Sequence, residues 1–95
     1  MVKKMNAQKQ TPELEQIALL SSVESAINHG TYLNDFLRKQ VVILNKDKDG
    51  QDQAYVGRLM SYDVSSLMLM NSNVPSGFWI PFSEQNPANV YLVKK

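Results

Sequence analysis

In YVGRLMSYDVSSLMLMN, residues Tyr55 to Asn71, a glycine sits inside one apolar run, an aspartate follows six residues later, and a second apolar run comes after it. A glycine within a strand has no side chain to pack, so Gly57 marks sharp curvature or close backbone approach. Asp63 and the serines after it read as a tight turn. The stretch therefore predicts two strands of a strongly bent antiparallel sheet, the raw material of a small barrel.

Outward from that stretch, VVILN from Val41 is a β-branched run, and the turn sequence DKDG at 47–50 joins it to QAYVGRLMSY as the partner strand. Ser66 to Asn71 makes a third strand, Ser72 to Gly77 reads as a loop, and FWIPF and NVYLV supply two more short strands. The expectation is mainly β: five strands curled into a small open barrel with helix at its amino-terminal end. Its core candidates are Leu37, Val42, Leu44, Val56, Leu59, Leu67, Leu69, Ile80 and Val93.

Upstream, Thr11-Pro12-Glu13 has the form of a helix start, with Leu14, Ile17, Leu20, Val23 and Ile27 as an apolar stripe and Gly30 as a left-handed cap. TYLNDFLRKQ reads as a second, shorter helix whose Arg38 and Lys39 face the negative end of its dipole. The predicted organisation is a flexible basic arm over 1–10, a helical extension over 11–30 and the barrel domain over 31–95.

The length of 95 residues suits one domain, and 43% hydrophobic with 20% charged residues is the balance of a chain that folds. No cysteine and a single histidine leave no basis for a disulfide framework or a zinc site, so neither metal nor cofactor is expected. Asp47, Asp49 and Asp52 crowd one turn without the spaced glutamate that closes a calcium loop. No apolar run reaches the ~18 residues of a membrane span, and the cytoplasm is the default location. A net charge of +1 requires any nucleic-acid site to be local. No nucleophile stands beside a base in the sequence, so catalytic residues are not expected.

From Tyr32 to Asn71 the chain resembles the Sm-like family of Sm, Lsm and Hfq proteins, and is nearest in pattern to Hfq. YLNDFLRKQV is similar to the short amino-terminal helix of that family, and GRLMSYDVSSLMLMN aligns without a gap to its bent second strand, aspartate turn and third strand. WIPF and VYLV resemble the second motif, whose paired strands join subunits into a ring. The resemblance implies a homo-oligomeric ring, hexameric or heptameric, that binds single-stranded RNA in RNA processing or riboregulation. It places RNA contacts at Asn34, Arg38, Lys39 and Asp63, and the hydroxyls of Ser65 and Ser66 are further candidates as donors to a base or phosphate. Its subunit interface would use Phe78, Trp79, Ile80, Phe82, Val90, Tyr91 and Leu92.

Three departures shape that expectation. Val64-Ser65 stands where Hfq has Gln-Phe, Trp79-Ile80-Pro81-Phe82 carries no cation where the family has one, and Leu67 replaces the Lsm asparagine. Base stacking is then absent at the turn, which leaves phosphate attraction by Arg38 and Lys39 with little base preference. Asp63, Ser65 and Ser66 also fit a purely architectural turn, and Trp79 fits a core or interface position. The alternative function is an Sm-fold oligomeric scaffold or protein-interaction module without an RNA pocket.

Overall fold

The computed structural model describes residues 13–28, 30 and 33–94. The expected basic arm 1–10, the Thr11-Pro12 cap, His29, Thr31, Tyr32 and Lys95 lie outside the described residues. In chain order come strand β1 (Glu13–Leu20), a short helix α1 (Val23–Asn28), a 3-10 turn (Leu33–Phe36) and strands β2 (Gln40–Lys46), β3 (Asp52–Asp63), β4 (Ser66–Asn71), β5 (Val74–Pro81) and β6 (Ala88–Lys94). They form one antiparallel six-stranded sheet in the order β1-β6-β2-β3-β4-β5.

The expected helix over 11–30 is the first correction. Residues 13–20 are a strand on the edge of β6, with Glu13 opposite Lys94 and Leu20 opposite Ala88. The three-residue spacing of Leu14, Ile17 and Leu20 imitates a helix because a bulge at Ile17 resets the strand's alternation. Ala18 and Leu20 turn inward, while Leu14 and Leu19 stay exposed. Pairing satisfies a row of β6 backbone groups that helix formation would leave open, and tertiary context overrides local periodicity. The helix shrinks to six residues and begins after Ser22, whose Oγ accepts the Ser25 N–H at 3.2 Å. Gly30, with φ 76°, closes it as expected, its N–H bonded to Ile27 O. The expected second helix is a single 3-10 turn, and β1 makes residues 13–20 part of the sheet rather than an extension outside it.

The second correction concerns β2, whose inward residues are Val41, Ile43 and Asn45. Val42 is half-buried, while Leu44 and Val56, the β3 partner of Val42, are exposed. VVIL is apolar at both parities, so alternation alone cannot say which set faces in, and a one-residue shift inverts the face. Leu59, Leu67, Leu69 and Ile80 lie in the core as expected, joined by Ala18, Leu20, Ala26, Leu33, Phe82, Ala88 and Val90. Leu37 packs against that core from the side, and Val93 is half-buried. The expected loop 72–77 is a two-residue turn, after which β5 begins at Val74.

The sheet is strongly curled. β2 and β5 stand three places apart, which in a flat sheet is roughly 14 Å. The buried Asn45 nevertheless donates from Nδ2 to Pro81 O on β5 at 2.8 Å. The loop after β5 is fastened to the end of β2, where Asn86 bonds both the N–H and the C=O of Lys46 at 3.0 and 2.7 Å. The last strand returns beside the first of the meander, β6 against β2, yet the sheet does not close, and its outer edges are β1 and β5. The expected five-stranded barrel is in fact an open, curled sheet of six strands.

Asp47 organises the β2–β3 turn, its Oδ1 accepting the N–H groups of Asp49 and Gln51 at 2.8 and 3.0 Å and its Oδ2 the Gln53 amide at 3.1 Å. The Gln51 N–H, helped by those of Asp49 and the Gln53 side chain, holds this carboxyl below the ordinary aspartate value against a smaller opposing effect of desolvation. Because the folded state prefers the ionised form, this stabilisation is complete above about pH 4 and disappears as pH falls through the lowered folded value. Asp47→Asn is expected to remove that component of the acid-side dependence of unfolding. A denaturation series in acid on both proteins measures the difference.

Candidate nucleic-acid interface

The sequence-predicted RNA residues fall along one strip because the segment after the 3-10 turn runs beside the distal half of β3. The Arg38 N–H donates to Leu59 O at 2.6 Å and the Leu59 N–H to Lys39 O at 3.0 Å. Farther along, the Tyr62 hydroxyl donates to Asn34 Oδ1 at 2.6 Å. Asp63 and its turn lie at the tip, about 13 Å from Leu59 along the strand at about 3.3 Å per residue. The pairing with Leu59 also explains an unusual backbone, for Arg38 has a φ of 71°, left-handed and unfavourable for a side chain with a β-carbon.

Arg38 and Lys39 are exposed. The ion pairs among the described residues are Lys46–Asp52 at 2.7 Å and Lys94–Glu15 at 3.4 Å, so neither cation of the strip is neutralised by them. A third cation joins this pair. Arg58 is exposed and lies opposite Gln40, immediately after Lys39, across the β2–β3 ladder. It was legible in principle, because Gly57 and Leu59 face inward and the residue between them must face outward.

The tip of the strip is self-satisfied. Asp63 Oδ1 accepts the Ser65 N–H at 2.9 Å and the Ser66 hydroxyl at 3.2 Å, while Ser65 O accepts the Phe82 N–H at 2.8 Å. This favours the architectural reading of Asp63 and Ser66, and the Ser65 main chain ties the turn to the end of β5. Val64 is 77% exposed at the tip and offers no stacking surface.

The residues expected at a subunit interface are divided. Ile80, Phe82 and Val90 are buried inside the protomer, and Phe78 packs against the core with its ring centroid 6.1 Å from that of Tyr55. Tyr91 and Leu92 lie on β6, which pairs with β1 on one side and β2 on the other and so has no free edge. Trp79, 52% exposed on the open-edged strand β5, keeps a surface available to a partner. Among the described residues, no three His, Cys, Asp or Glu side chains come together to hold a metal ion, and no helix is long and apolar enough to cross a membrane.

No family model, curated protein or solved structure matches this chain.

Proposed function

We propose that the chain is a ring-forming, Sm-like protein of the cytoplasm that binds single-stranded RNA along the Arg38–Lys39–Arg58 strip. The observation that carries this reading is the gathering of three exposed cations, without an ion-pair partner among the described residues, on one strip by the pairing of residues 38–39 with Leu59. A chain of net charge +1 needs such a local concentration to attract phosphate. The long β3 with its glycine at a close strand approach, the aspartate turn and the return of β6 beside β2 support the Sm-like assignment.

Assembly supports the same reading in a modified form. With β6 covered, the free edges are β1 and β5, at opposite ends of the sheet. Pairing β5 of one copy with β1 of the next is head-to-tail, and where the rotation between copies closes, such an interface makes a ring that repeats the basic strip in every subunit. Light scattering at micromolar concentration should give several times the 10.8 kDa chain mass. A monomer would end the ring part of the proposal.

The strip is tested by substitution. Replacing Arg38 and Lys39 together by Gln should weaken binding to oligo-U and oligo-A alike and flatten the log–log salt slope by about 1.4, at about 0.7 for each phosphate no longer neutralised. Ser65→Ala and Ser66→Ala should matter less. Arg38→Gly separates folding from binding: removing the left-handed strain should leave stability unchanged or raise it by up to about 1 kcal/mol, while RNA affinity falls. RNA affinity that survived all of these changes would place the site elsewhere.

A second reading has its own observation. Leu14, Leu19, Leu44 and Val56 are exposed on the outward side of β1, β2 and β3, an apolar surface suited to a protein partner. It supports the scaffold alternative, for which RNA binding would be absent at every salt concentration.

A further inference from the structure

We propose that the cleft beside Arg58 is a guanine-reading site, an inference that rests on the RNA reading above and adds base recognition to it. Gln40, Arg58 and Met70 are consecutive cross-strand neighbours on β2, β3 and β4, and they form the floor of a cleft of about 450 Å³. Met60, at the bulge between Leu59 and Ser61, lines it, and Asn71 and Pro75 add lining from the β4–β5 end. The volume falls within the range of about 300–1,000 Å³ typical of small-ligand sites.

The lining divides into fixed and free groups. Asn71 is held at both ends of its amide, its Nδ2 donating to Val56 O at 2.8 Å and its Oδ1 accepting the N–H groups of Asn73 and Val74 at 2.9 Å, so it forms a fixed wall. The Arg58 guanidinium and the Gln40 amide have no hydrogen-bond or ion-pair partner among the described residues. Two thioethers and a proline supply polarisable, apolar surface for a flat ring, and the free groups supply hydrogen bonds at its edge.

That combination suits a heterocycle with acceptors, and the guanidinium selects among the bases. Its parallel N–H donors match the adjacent O6 and N7 acceptors of guanine, a pairing that adenine and uracil offer on no edge and that cytosine matches only with O2 and N3 on its Watson–Crick edge. Gln40 has donors and an acceptor for the remaining edge. Lys39 precedes Gln40 directly, so the phosphate-attracting cations sit beside the base-reading cleft. Phosphate contacts of Arg38 and Lys39 then position the strand, and Arg58, which meets phosphate on strands without guanine, reads the base where guanine is present, which replaces the expectation of little base preference.

The test uses the full chain and four fluorescein-labelled RNA pentamers, UUNUU, in anisotropy titrations at low salt, with oligo-U of 18 nucleotides as the reference ligand. The guanine-centred pentamer should bind on the order of 10-fold more tightly than the adenine- and uracil-centred ones, and a cytosine-centred pentamer that bound as tightly as the guanine-centred one would overturn the assignment to guanine. Arg58→Lys keeps the charge without the fork, so it should bring the guanine-centred pentamer down to the affinity of the adenine- and uracil-centred ones and leave the denaturation midpoint unchanged. Equal binding of all four pentamers alongside binding of oligo-U would overturn the guanine site alone, as would a preference that survives Arg58→Lys. No binding of any RNA, oligo-U included, would overturn both this site and the RNA reading beneath it.

Discussion

Replacing Gly57 by valine is expected to lower the stability of the fold by about 2 kcal/mol or more. A β-carbon at residue 57 would stand 2.6 Å from Met70 O, 3.2 Å from Met70 C and 3.3 Å from Leu69 Cβ. The nearest obstacle is backbone in the adjacent strand, which cannot swing aside as a flexible side chain can. The requirement at this position is therefore close approach of β4 rather than an unusual dihedral, since Gly57 is not among the glycines with positive φ. Even alanine carries the offending atom and should be destabilising. The midpoint of chemical denaturation measures the effect, and an unchanged midpoint for both variants would mean that β3 and β4 do not converge there.

A comparably large effect is expected one strand away, and it tests the face of β2. Ile43→Ala should cost about 2–5 kcal/mol, because Ile43 is fully buried and its truncation leaves a cavity. Leu44→Ala, the adjacent position, should cost well under about 1 kcal/mol, since that leucine is 38% exposed. Equal costs would mean that the strand is buried on both faces. A reversed order would restore the parity expected from sequence.

These two strands also show what the sequence made legible. The segment 55–71 carried its own punctuation, a glycine where backbone closes in and an aspartate whose carboxylate folds the turn onto Ser65 and Ser66, so its elements and its inward leucines were readable. VVIL carried none, because its residues are apolar at both parities and only its pairing opposite Gly57 decides that Val41 and Ile43 face in. Residues 13–20 misled for a related reason. A bulge at Ile17 produces helical spacing in a strand, and the partner that stabilises it, β6, lies some seventy residues away.

The candidate strip divides in the same way. Arg38 and Lys39 were visible as a basic pair, but their meeting with Arg58 depends on a long-range pairing to Leu59 that no local pattern announces. The cleft beside Arg58 was hidden for the same reason, since its lining comes from β2, β3, β4 and β5. Asp63, Ser65 and Ser66, by contrast, were visible because a self-satisfied turn is a local device.

The proposed RNA strip of Arg38, Lys39 and Arg58 acts through phosphate contacts. Its most direct test is the affinity of the full chain for oligo-U and oligo-A measured between about 50 and 200 mM salt, where phosphate contacts must reveal themselves by counterion release. Three cations at about 0.7 per contact predict that log affinity falls against log salt with a slope of about −2 or steeper. Absence of binding at the lowest salt, or binding that does not change across the range, would contradict the account.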